Sequence, residues 1–136
     1  MQVSDNRRCM ICGPDNPFGL KARPQRDEAA GRAWLTTVLP PEYQGWEGVA
    51  HGGMVAALLD EVSAYAAMAV SKQIVTAELT VRYLKPVPLG REIYVEAHVR
   101  DRIRRSVSVE AVMTCEGEVL ARASGRMVVL KSAAGG

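Results

Sequence analysis

The chain has 136 residues, 24% of them charged, and a formal net charge of +2 at neutral pH. That length makes one domain with a sizeable core. The near-balanced charge excludes the strong basic field of a nucleic-acid binder, and no stretch is long and apolar enough to cross a bilayer. The opening, MQVSDNRRCM, is polar and does not read as a signal peptide. Three cysteines, an odd count, read as reduced thiols of a cytoplasmic protein.

Residues 1–30 are expected to form an irregular lead segment packed on the domain. Cys9 to Pro24 is rich in glycine and proline, which favour turns. Its Cys9-x-x-Cys12-Gly13 is half of a zinc signature. The other candidate ligands, Cys115, His51 and His98, form no second knuckle, so no metal is expected and the thiols are assigned to a structural turn. Gly31 to Leu39 is β-branched and aromatic, hence a strand, and Pro40-Pro41 ends it. The loop Glu42 to Ala50 carries Trp46, which either packs under the loop or lines a pocket.

His51 to Val70 is expected to be the central helix. From Met54 onward it is apolar or small at nearly every position, and a helix apolar all round is buried all round. Gly52-Gly53 leaves backbone N–H groups uncovered at the positive end of the helix dipole. Asp60 sets a carboxylate in an oily segment, where an unpaired charge is costly. The adjacent Glu61 points about 100° away and is assigned a structural or exposed role.

The second half alternates with period two. Ile74 to Leu84 is expected to face Val75, Ala77, Leu79, Val81 and Tyr83 inward. Glu92 to Arg100, Ser106 to Cys115 and Glu118 to Leu130 are the next strands. The basic run Arg100 to Arg105 is expected as a turn, and 132–136 as a disordered tail. The result is an α+β domain over 31–131, a meander of four antiparallel strands and one earlier strand curled around a single helix. One sheet cannot cover the whole helix, so a dimer is expected.

The sequence HGGMVAALLDEVSAYAA at 51–67, followed by TAELTVRYLKPVPLG at 76–90, resembles the hotdog-fold thioesterases of the 4-hydroxybenzoyl-CoA thioesterase superfamily. The phenylacetate-pathway type is the most similar branch, and part of it has a lead segment similar to Cys9–Leu20. The resemblance implies a curled antiparallel sheet of five or six strands around one long helix. It also implies an acyl-CoA thioesterase releasing a carboxylic acid and free CoA, with no cofactor. Gly52 N–H would polarise the thioester carbonyl. Asp60 would be nucleophile or general base, and Thr76 would stand beside the catalytic water. Gln44 matches a water-holding position, one residue out of register. His51 would cap the Gly-Gly turn or serve as a base. The acyl pocket would be lined by Gly53, Met54, Leu58 and Tyr65. Arg82, Lys85, Arg104 and Arg105, with Arg102 nearby, are candidates for the CoA phosphates.

Elementary chemistry agrees, because thioester hydrolysis needs a donor for the developing oxyanion and a base or nucleophile. Eight residues of helix span about 12 Å, too far for Gly52 and Asp60 of one chain to act on one carbonyl. Two antiparallel helices across a two-fold axis would bring one chain's amide to the other's carboxylate. The expected partners are an acyl-CoA and further copies of the chain, as dimer or tetramer, with no nucleic acid or membrane. A non-catalytic acyl-CoA-binding or sensing domain and a hotdog dehydratase are the alternatives.

Overall fold

The computed structural model describes residues 1–131, so the tail expected over 132–136 lies outside the described residues. Six strands, β1 (Gln25–Asp27), β2 (Arg32–Val38), β3 (Ile74–Tyr83), β4 (Glu92–Ile103), β5 (Ser106–Cys115) and β6 (Glu118–Val129), form one antiparallel sheet around the helix α1 (Gly52–Ala67). The sheet order is β1-β2-β4-β5-β6-β3. This is the hotdog arrangement.

The strands follow the sequence alternation. Ile93, Val95 and Ala97 of β4, Val107, Val109 and Met113 of β5, and Ala121 and Met127 of β6 are buried against α1. The opposite face is polar. There Glu96 accepts from the Arg32 guanidinium and from Tyr94 Oη at 2.9 Å, with His98 Nε2 at 2.9 Å. The Arg32 guanidinium also stacks 4.3 Å above the Trp34 ring. Glu116 and Gly117, at φ 50° and 79°, turn β5 into β6 in the backbone region that tight hairpins need.

Several expectations are corrected. β1 lies inside the lead stretch expected to be irregular, because Arg26 pairs with Ala33 across a short hairpin. β4 runs through Arg102 to Ile103, with a register shift between Val99 and Asp101. Only Arg104 and Arg105 therefore make the turn, Arg104 at φ 56°. The meander holds for β4-β5-β6 alone. β3 docks on the far side of β6, with Tyr83 opposite Ala121 and Ile74 opposite Val129. The chain returns from β3 to β4 through a crossing loop, held where Ala50 N–H donates to Val87 O (2.8 Å) and Gly90 N–H to Leu39 O (2.9 Å).

Among the described residues, the helix is also covered on one side only. Met54, Val55, Leu58, Leu59, Val62, Ser63, Ala66 and Ala67 are buried, whereas Gly52 and Gly53 are exposed and Ala56, Ala57, Asp60 and Ala64 are partly so. It ends at Ala67, three residues early. Ala69 N–H and Val70 N–H donate to Ala66 O and Ala67 O, three residues back, which tightens the last turn.

Candidate active site

The start of α1 is built by its cap. His51 is extended (φ −60°, ψ 134°), and its Nδ1 accepts from Gly53 N–H at 2.8 Å. Its carbonyl accepts from Met54 N–H at 2.9 Å and Val55 N–H at 3.1 Å. A Cβ on residue 53 would stand 3.0 Å from His51 Nδ1, so a side chain there would push on the capping imidazole. Three of the first four helical N–H groups are thereby satisfied. The fourth, Gly52 N–H, has no acceptor among the described residues and lies on the exposed side of α1. A free donor at a helix N-terminus is oriented toward incoming negative charge.

Tyr83 fixes this end to the sheet, a bond that alternation oriented but did not identify. Its hydroxyl donates to Gly52 O at 2.7 Å, and its ring would stand 3.6 Å from a Cβ at position 52. The same alternation that set Tyr83 inward carries the contact.

Two turns further along, Asp60 Oδ1 accepts from Thr76 Oγ1 at 2.6 Å, and Met127 Sδ lies 3.2 Å from the same hydroxyl. Periodicity alone set Thr76 on the outer face with Glu78. A bulge between Thr76 and Glu78 in the β3–β6 register reverses the phase. Before it Ile74 and Thr76 turn toward α1; after it Leu79 and Val81 do. Bulges re-aim side chains in this way. Asp60 is half-buried, on the same uncovered strip as Gly53, Ala56 and Ala57.

The remaining expected residues separate. Gln44 closes its own loop, accepting from Gly48 N–H at 3.3 Å, and Trp46 in that loop is 85% exposed rather than packed beneath it. Leu58 is wholly buried and Met54 nearly so, both against the sheet, so within this chain they are core and not pocket wall. Tyr65 lies on the other flank of α1, beside the lead segment. Arg82 points to the outer face, where with Thr80, Glu110 and Arg122 it lines a shallow concavity of about 300 Å³. Lys85 pairs with Glu118 at 3.0 Å. Arg105 O accepts from Val129 N–H beside the start of β3, so the Arg104–Arg105 turn and the Arg82–Lys85 stretch lie at opposite ends of that strand. Nine strand steps separate the ends by about 30 Å, so one chain cannot bring both groups to one phosphate.

On the lead-segment flank, Glu61 meets Cys9 and Cys12, with Cys9 Sγ 3.7 and 3.8 Å from its two oxygens. Burial holds the Glu61 carboxyl above the usual carboxylate range. Burial first, then the hydrogen bond with Glu61, pushes the Cys12 thiol up to about 12. Burial and the neighbouring Cys12 raise Tyr65.

Residues 47–122, from the loop before His51 into β6, match the family model described as the Thioesterase superfamily. Among curated proteins, the chain is 34% identical over 59 residues to the acyl-coenzyme A thioesterase THEM4 of Xenopus laevis. That match covers 43% of this chain and 27% of the relative, so the chain spans about a quarter of that protein. Among solved structures, RHA08564, a thioesterase superfamily protein, superposes with a TM-score of 0.82 at 28% identity, over 90% of this chain and 60% of that one. A phenylacetic acid degradation-related protein from Ralstonia eutropha shares the fold, with a TM-score of 0.73 at 24% identity over 81% and 86% of the two chains. With more than half of its residues in the family match and the hotdog sheet wrapped on α1, the chain belongs to the thioesterase superfamily.

Proposed function

We propose that the protein is an acyl-CoA thioesterase, cleaving the thioester with water to a carboxylic acid and free CoA. One observation carries the reading: an unbonded Gly52 N–H and a Thr76-held Asp60 carboxylate share the uncovered side of α1. The name of the Xenopus relative supports the substrate class. Gly52 N–H receives the oxyanion as the carbonyl becomes tetrahedral. Asp60 either takes a proton from the attacking water, which the departing CoA thiolate then receives, or attacks the carbonyl itself. In the second case the CoA thiolate leaves with the bonding pair and is protonated from solvent, and water then hydrolyses the acyl–Asp60 anhydride to the carboxylic acid and the free carboxylate. His51 is a positioning residue, since Nδ1 is committed to Gly53 N–H. The reaction as proposed uses no cofactor.

The site is composite, one protomer supplying Gly52 and the other Asp60, in a dimer or in a tetramer of such dimers. Three features support self-association. Among the described residues, half of α1 is uncovered, β3 is a ten-residue strand paired on one edge only, and Phe18 and Trp46 are 90% and 85% exposed. An antiparallel two-fold pairing would also join the Arg82–Lys85 end of one chain to the Arg104–Arg105 turn of the other. That would gather the basic residues around one CoA nucleotide. Three free thiols fit a reducing compartment such as the cytoplasm, and no described helix is long and apolar enough to cross a membrane.

Asp60→Asn tests the reading. It keeps the side-chain shape and removes the basicity, so kcat for a panel of aliphatic and aromatic acyl-CoAs should fall about 10²–10⁴-fold with KM little changed. Thiol release at the unmodified rate would refute the assignment.

A further inference from the structure

The lead segment carries an arrangement that thioester hydrolysis does not use. Cys9 to Gly13 folds as a compact knuckle in which Ile11 N–H and Cys12 N–H both donate to Cys9 Sγ, at 3.3 and 3.4 Å, and Gly13 N–H donates to Cys9 O at 2.9 Å. A Cβ at Gly13 would lie 2.3 Å from Cys9 N, so the turn requires that glycine. The two sulfurs face Glu61 of α1, and one donor atom from each of the three residues falls within 4.8 Å of the others. Glu61 is half-buried there and has no Lys, Arg or His within ion-pair distance among the described residues. Its hydrogen-bond neighbours include thiols, which are weak donors. A carboxylate withdrawn from water and facing two sulfurs lacks a cation.

We propose that Cys9, Cys12 and Glu61 bind one divalent cation of the zinc class, with water in the fourth position, and that this metal clips the lead segment to α1. The two soft thiolates select zinc over magnesium or calcium, and the carboxylate adds an anionic oxygen that zinc also accepts. The backbone N–H groups directed at Cys9 Sγ are the outer-shell donors that metal-bound thiolates use. Binding releases the two thiol protons to solvent and sets three ligand charges against the cation's two. The lack of a second cysteine knuckle is no obstacle, because the third ligand comes from the helix. The metal is structural: Asp60 bonds Thr76 on β3, while Glu61 faces the lead segment about 100° around the helix.

The test uses the full chain, purified under reducing conditions. Elemental analysis should find about one zinc per chain. Cobalt(II) titration of chelator-stripped protein should produce thiolate-to-cobalt charge-transfer absorption. Both signals should vanish in the Cys9→Ser, Cys12→Ser double variant. Glu61→Gln should weaken cobalt affinity at least about tenfold, the scale on which even outer-shell partners act. Stripping the metal should lower the melting temperature of the natural chain and leave that of the double variant unchanged. Reduced natural chain without a cobalt–thiolate band overturns the site. Unchanged affinity in Glu61→Gln overturns Glu61 as a ligand, and a Cys9–Cys12 disulfide in protein isolated from a reducing cytoplasm overturns the clip.

Discussion

Gly52→Pro isolates the one donor on which the proposed chemistry depends. Position 52 is the first residue of α1, where proline is well tolerated because that N–H has no helical partner. The residue before a proline must be extended, and His51 already is, at ψ 134°. The nearest foreign atoms to a Cβ at this position are those of the Tyr83 ring at 3.6 Å, an ordinary contact, and the Tyr83 bond to Gly52 O needs no change. The substitution thus deletes an N–H and little else. Replacing glycine by proline at a compatible site stabilises by about 0.4–1 kcal/mol through the unfolded chain. The melting temperature should therefore hold or rise. Loss of one oxyanion donor costs about 10²–10³ in kcat, or 2.7–4 kcal/mol of transition-state stabilisation. Thiol release from an acyl-CoA, followed beside thermal unfolding, reads both effects. A variant that folds and keeps kcat within a few-fold refutes the oxyanion role of Gly52.

Two further outcomes follow from particular hydrogen bonds. Thr76→Val keeps a β-branched side chain on β3 but removes the donor 2.6 Å from Asp60. Hydrogen bonds to charged groups are worth about 1.5–3 kcal/mol, so kcat should fall roughly ten- to a hundredfold, and Thr76→Ser should restore it. On the outer face, the hydrogen bond from Arg32 holds the Glu96 carboxyl below its ordinary range, helped by Tyr94 and opposed by burial. A depressed carboxylate stabilises the fold above its unfolded value, about pH 4.3, and loses that contribution as pH falls through its lower folded value. The melting temperatures of Glu96→Gln and the natural chain should therefore differ most near neutral pH and converge in acid; a gap that widens in acid would contradict the sign.

Much of this fold was legible because period and punctuation agree. β5 and β6 lie where alternating residues and the Glu116-Gly117 turn put them, and Gly52-Gly53 marked the helix start. What stayed hidden depends on tertiary pairing. β1 reads Gln-Arg-Asp, with no apolar signal at all. β3 pairs with β6 rather than its sequence neighbour β4, and nothing local distinguishes the two. The bulge after Thr76 reverses a phase that alternation alone extends unbroken, so periodicity assigned Thr76 outward while the family resemblance set it beside the catalytic water; the bond to Asp60 belongs to the structure. Arg100, Asp101 and Arg102 put three charges in a row and read as a turn, yet β5 pairs with this stretch through a register shift. In α1 a uniformly apolar sequence carries no stripe, hence no sign of which side the sheet covers. Glu61 could not be assigned to the cysteines from spacing, since 49 residues separate it from Cys12 and only the packing of the lead segment joins them.

The uncovered side of α1 turns the composite site into a counting problem. If one chain's Gly52 acts with its partner's Asp60, Gly52→Pro homodimers and Asp60→Asn homodimers both have two damaged sites. A heterodimer of the two variants puts both lesions in one site and none in the other. Random pairing of equal amounts makes half the dimers heterodimers, each with one intact site, so the mixture should recover about a quarter of the natural activity. Co-expression with two different affinity tags allows the heterodimer alone to be isolated, and it should then show about half. If both groups acted from one chain, every site in the mixture would carry one lesion and activity would stay at the level of the separate variants. Recovery is the expected result, because eight helical residues set the amide and the carboxylate about 12 Å apart along α1. A tyrosine bond at one end and a threonine bond at the other hold each group to β3 and resist any closing of that gap. An isolated heterodimer without activity would refute the shared site while leaving Asp60→Asn and Gly52→Pro to report separately on the chemistry.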